Sequence, residues 1–157
     1  MEVSVRPARL TDVDAAVRLL AQGSTGDGVG REDADRLRHL LFVPAATVVV
    51  AVVERALVGV GILSIRPSVR SGPFVGVVDE LGTGDGRAGS AADAADAALR
   101  GEAASRMLAQ LITSARNKGC SRVEITDPLA SAEPALVEQA GFERRGALMS
   151  RAIGLIG

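Results

Sequence analysis

A single α/β domain built on a mixed sheet is what this sequence predicts, and three observations predict it. Val-rich segments with strand character alternate along the chain with segments whose apolar residues recur at helical spacing. The length, 157 residues, suits one domain with a sizeable core and no second domain. The apolar fraction is 47% while only 2% is aromatic, with no Trp or Tyr, so the core must be aliphatic.

The elements follow in order. Val3 and Val5 alternate with polar neighbours in a short strand that Pro7 closes. Thr11-Asp12-Val13-Asp14 reads as a capping box opening a helix with Val13, Ala16, Val17 and Leu20 on one face, ended by Gly23. Residues 23–30, GSTGDGVG, lack the Gly-Lys-Ser/Thr of a P-loop and read as a connecting loop, with a substrate lid as the alternative. Ala34, Leu37, Leu40 and Leu41 define a second helix from Arg31 to Phe42, stopped by Pro44. His39 on that helix has no nucleophilic or acidic neighbour in a motif and reads as a surface or half-buried residue. Thr47–Val53 and Ala56–Ile65 form an antiparallel hairpin about Glu54-Arg55, and a turn at 67–73 leads to a strand from Phe74 to Leu81. A long helix ends near Lys118-Gly119, a strand follows over 121–126, then a helix over 133–140 and one or two last strands to Ile156.

Composition excludes several functions. Acids and bases are interspersed, with a net charge of -1, so no electrostatic footprint for nucleic acid or an anionic membrane is present. The lack of aromatics removes base-stacking platforms. One cysteine and one histidine give neither a disulfide nor a metal-ligand cluster, and Cys120 reads as a buried structural thiol. No apolar run approaches the roughly 20 residues a bilayer requires, and the N-terminus lacks a basic region followed by an apolar core, so a soluble cytoplasmic protein is expected.

The stretch from Phe74 to Gly119 carries the chemistry. A strand that ends in glycines and feeds a helix leaves backbone N–H groups unpaired, with the positive end of the helix dipole behind them. Gly84 to Gly89 is formally G-x-G-x-x-G, but it lies mid-chain after a hairpin and no acid closes a strand about 20 residues on, so a dinucleotide site is not expected. Asp79 and Glu80 sit on the strand before the glycines, and strand alternation turns them to opposite faces, so at most one can serve as a base.

Over nearly its whole length the chain resembles the GNAT superfamily of acyl-CoA-dependent N-acyltransferases. The residues that carry the likeness are Val5-Arg6-Pro7-Ala8, Ala56 to Gly61, Val78-Asp79-Glu80-Leu81, Arg100 to Leu108, Ala115 to Cys120 and Glu138 to Glu143. The resemblance implies a GNAT-like, mostly antiparallel sheet flanked by helices, and transfer of an acetyl or other short acyl group from acetyl-CoA or another acyl-CoA to a small-molecule or peptide amine. It implies no metal, nucleic acid or membrane, and leaves a homodimer open.

It also implies a site. The family's pyrophosphate loop, Arg/Gln-x-x-Gly-x-Gly/Ala, falls on Arg100, Gly101, Ala103, Ala104 and Ser105. The backbone of Leu81 to Thr83 would pair with pantetheine, and Glu80 would be the catalytic base. The sequence departs from the family in four places: Ala103 stands at the central glycine, Val137 at the tyrosine acid, Ala130 or Ser131 near the pantetheine asparagine, and an Ala/Gly/Asp-rich insertion occupies about 84–99. A rival register puts the loop at Gly86 to Ala91. The mid-helix cost of Gly101, about 1 kcal/mol, predicts a helix restarting near Arg100 after a flexible or separately folded insertion. The departures keep a second reading in play, a GNAT-fold module that binds a ligand or a partner without catalysis.

Overall fold

The computed structural model describes residues 2–22, 31–84, 94–126, 129–146 and 149–153. The expected loop at 23–30 and the rival phosphate loop at Gly86 to Ala91 lie outside them. Five strands form one sheet in sequence order: β1 (Ser4–Pro7), β2 (Ala46–Val53), β3 (Ala56–Pro67), β4 (Phe74–Thr83) and β5 (Cys120–Ile125). The first four run antiparallel and β5 pairs parallel to β4. The helices are α1 (Val13–Gln22), α2 (Arg31–Leu40), α3 (Ala94–Asn117), α4 (Leu129–Ala132) and α5 (Pro134–Gln139). Among the described residues, no helix is long and apolar enough to cross a membrane.

The β2–β3 hairpin turns on Glu54 and Arg55, whose φ angles of 48° and 71° are the left-handed pair of a two-residue turn that matches strand twist. Entry to α1 is fixed by Asp12, not by the expected box of Thr11 and Asp14. Its carboxylate accepts the Arg9 N–H at 2.7 Å and both terminal nitrogens of Arg6 at 2.7 and 2.9 Å. The Arg6 hydrogen bond holds the Asp12 carboxyl below its usual range, against the opposing effect of burial.

The sheet is covered on both faces. Val13, Ala16 and Val17 of α1 and Leu37 of α2 pack on Val48, Val50, Val60 and Ile62. On the other face Met107, Leu108, Leu111 and Ala115 of α3 pack on Val49, Ala51, Leu63 and Val78. Each large side chain buried there contributes about 1.5–3 kcal/mol. Close approach of α3 depends on glycine in β3: a Cβ at Gly59 would lie 2.6 Å from Met107 Cε, and one at Gly61 3.1 Å from Leu111 Cδ1.

Two expectations are corrected. The helix does not restart at Arg100: α3 is continuous from Ala94, so residues 94–99 of the expected insertion belong to it. Alanine has the best helix propensity and Leu99 packs against the α3-side core, which together outweigh the cost of Gly101. That cost is recoverable. Gly101 is exposed and nothing lies within 4 Å of where its Cβ would be. Gly101→Ala is therefore expected to stabilise the protein by about 0.5–1 kcal/mol, read as a melting temperature a few degrees higher. The second correction is at the C-terminus, where no strand occurs after Gln139 among the described residues, and Met149 and Ile153 stand 94% and 90% exposed. Those of the expected strands' residues that are described have no sheet partner, and 147–148 and 154–156 lie outside the described residues.

Candidate functional site

The site is built where β4 and β5 part. Their parallel pairing runs from Phe74 opposite Cys120 to Val78 opposite Ile125 and stops. β4 continues to Thr83, paired on its other side with β3 through Glu80–Ile62, Leu81–Gly61, Gly82–Val60 and Thr83–Gly59. From Asp79 to Thr83 the β5-facing edge of β4 is thus unpaired among the described residues, a row of backbone donors and acceptors that an extended ligand can complete as an added strand.

A bulge lies where this edge begins. Ile62 pairs with Glu80 and the next β3 residue, Leu63, with Val78, which leaves Asp79 as the extra residue. The bulge overturns the expected alternation of the two acids. Glu80 lies opposite Ile62, a residue of the α1-side core, so it faces α1. Asp79 accepts a hydrogen bond from Ser64 Oγ, and Ser64, two residues from Ile62, faces the same way. Both carboxylates are therefore on one side. Partial burial raises the Glu80 pKa, and the Asp79 charge raises it further. A carboxyl group so tuned is nearer the range in which a base takes a proton at neutral pH.

The end of α1 forms the wall over this edge. A Cβ at Gly82 would lie 3.3 Å from both Leu19 and Leu20, and one at Gly84 2.7 Å from Gln22 Oε1. Glycine at 82 lets α1 descend onto the end of β4, while at Gly84 the exposed Gln22 side chain could swing aside. Leu81 turns to the opposite face and joins the α3-side core.

The residues of the expected phosphate cradle lie within α3. Arg100 to Ser105 lie from the seventh to the twelfth residue of α3, the first of them roughly 9 Å from its start, and their amides are spent on the helix's own hydrogen bonds. Ala103 is 0% exposed in the α3-side core and Ala104 is 7% exposed. Gly101 and Ser105 face solvent, and Arg100 is half-buried. The residues that resemble a phosphate loop are thus helix interior and core in this chain. The unpaired edge of β4 is open to an extended chain, whereas the amides of Arg100 to Ser105 have no free N–H to offer an anion.

His39 is exposed on α2. Burial pushes the Cys120 thiol up, against the lowering effect of Lys118, which leaves it a poor nucleophile. A groove of about 350 Å³ between α3 and α5, lined in part by Ser105, Ile112, Arg116, Leu136 and Gln139, includes no β4 residue.

No family model matches the sequence, and no curated relative matches it. Solved structures do match. A transcriptional regulator from Bacillus halodurans C-125 superposes with a TM-score of 0.77 at 17% identity, over 97% of this chain and 100% of that one. Glucosamine-6-phosphate N-acetyltransferase from Arabidopsis thaliana gives 0.75 at 16% identity, over 98% and 100%. A predicted acetyltransferase from Clostridium acetobutylicum, solved with acetyl-CoA, gives 0.71 at 12% identity, over 96% of each chain. The fold of this chain is the GNAT fold.

Proposed function

We propose that the protein is an N-acyltransferase that moves an acetyl or other short acyl group from an acyl-CoA thioester to an amine. The observation that carries this reading is the parting of β4 from β5 at the Asp79 bulge, with an unpaired edge from Asp79 to Thr83 and Glu80 beside it. The thioester arm would lie along Leu81 to Thr83, and a β4 amide would donate to its carbonyl oxygen as negative charge gathers there. Glu80 would take a proton from the incoming ammonium, because only the neutral amine attacks. The N–C bond forms, the C–S bond breaks, and the thiolate leaves to be protonated by water, since Val137 offers no acid. Asp79, on the same side, favours an acceptor that carries positive charge.

One observation favours the second reading, a GNAT-fold module without catalysis. The amides of Arg100 to Ser105 are paired within α3, and the fold does not by itself dictate chemistry. A calorimetric titration with acetyl-CoA, followed by a thiol-release assay with a panel of small amines and basic peptides, separates the two. Binding with amine-dependent thiol release is expected. No heat of binding up to about 1 mM removes the transferase reading. Hydrogen exchange locates the nucleotide end: the amides from Gly101 to Ser105 are expected to be protected in the free protein, and loss of protection on adding acetyl-CoA would show α3 unwinding to meet the phosphates.

A further inference from the structure

Among the described residues, α1 and α2 pack on Val48, Val50, Val60 and Ile62 of the sheet, and α1 reaches β4 at Gly82. The same face continues beyond Ile62. On β3, Leu63 and Ile65 turn to the α3-side core, so Ser64 and Arg66 face the α1 side. On β5, Val123 and Ile125 take the α3 side and leave Arg122 and Glu124 on the α1 side. The register sets these residues in two rows across β4, Ser64–Val77–Glu124 and Arg66–Val75–Arg122.

This face carries opposite charge at its two ends. Asp79 and Glu80 stand at the end where the unpaired edge of β4 begins. At the other end two guanidinium groups converge on one carboxylate: Arg66 donates to Glu124 Oε1, and Arg122 donates to Glu124 Oε2 at 3.2 Å. Two cations on one anion leave an excess of positive charge, and a second carboxylate would complete an alternating set. The Arg66 and Arg122 side chains are 52% and 43% exposed, so an incoming anion can reach them. Arg66 is four residues along β3 from Ile62, the partner of Glu80, which puts the basic end about 13 Å from the acidic one. An extended peptide of about four residues covers that span, and a single amino acid does not.

We propose that this face docks the N-terminus of an extended peptide as the amine acceptor, with an acidic side chain of its third or fourth residue on Arg66 and Arg122. The amine end of this inference rests on the transferase reading. Its anion end rests on the two arginines. Thiol release from acetyl-CoA is measured with hexapeptides carrying Glu, Gln or Lys at the third and fourth positions, and calorimetry with the same peptides reads binding without turnover. The Glu peptide is expected to exceed the Gln peptide about three- to tenfold in kcat/KM, with the Lys peptide below both. The double variant Arg66→Glu with Arg122→Glu is expected to reverse that order, a gain for the Lys peptide that a merely structural role would not produce. Circular dichroism confirms that the variant is folded. Equal rates for the Glu and Gln peptides overturn the proposal, as does a Glu preference that survives the double reversal, and in both cases turnover itself keeps the transferase reading. Acid-dependent binding that is lost in the double variant, with no thiol release from any amine, removes the transferase reading and supports the docking site.

Discussion

Ala103→Glu is expected to abolish cooperative folding or to lower the melting temperature by well over ten degrees. Ala103 is fully buried among the residues that join α3 to the sheet. Among the described residues no charged side chain is buried, so a carboxylate here has no buried cation to pair with, and an uncompensated buried charge costs about 3–5 kcal/mol. Overpacking adds about 1–3 kcal/mol. Set against a total stability of roughly 5–15 kcal/mol, the substitution removes most of the margin. Ser105→Glu, at an exposed position two residues further on the same helix, should change stability by less than about 0.5 kcal/mol. Thermal melts of the pair followed by circular dichroism decide the matter. If Ala103→Glu melts within a few degrees of the parent, Ala103 faces outward and the helix opens near Arg100 after all. The expectation reverses what the motif alone implies, namely that a glutamate here would repel a pyrophosphate and leave the fold intact.

That reversal shows what the sequence could and could not convey. Hydrophobic period located the hairpin, both α1-side helices, β4, β5 and the C-terminal end of α3 at Gly119 to within a few residues, because burial of a stripe or a face dictates the pattern. The start of α3 differs from the expected one. Gly101 is a local signal worth about 1 kcal/mol, whereas the Ala-rich run before it and the seating of Leu99 against the core are cumulative. Spacing to Gly119 also matched the family's loop, but spacing places residues along a helix without saying where the helix begins. The bulge is legible in the sequence. In Val77-Val78-Asp79-Glu80, two consecutive acids interrupt an alternating strand, and an extra residue restores the alternation so that Leu81 again faces the core. Ser64, which anchors Asp79, carried no signal at all, since its role depends on a partner fifteen residues away across a sheet.

Under the transferase reading, Glu80→Gln is expected to lower the acylation rate by about 10²- to 10⁴-fold, the usual worth of a positioned general base, with little change in thioester affinity. The pH dependence distinguishes a base from a bystander. Burial first, and the Asp79 charge second, raise the Glu80 pKa, so the acid limb of the parent's rate profile should lie above the ordinary glutamate range. The glutamine variant should lose that limb. Asp79→Asn removes only the smaller cause, so its limb should move to lower pH without reaching the ordinary range. Stability gives an independent sign. A carboxyl group whose pKa is raised by folding favours its neutral form in the native state, so it stabilises the fold at pH below its unfolded pKa, and that contribution is lost as pH rises through the folded pKa. Glutamine keeps the shape and never ionises, so the variant should be at least as stable as the parent at neutral pH. Rates within about twofold of the parent across the pH range, in a variant that still binds the thioester, would show that the proton leaves the amine by another route and that Glu80 is only a strand-end charge.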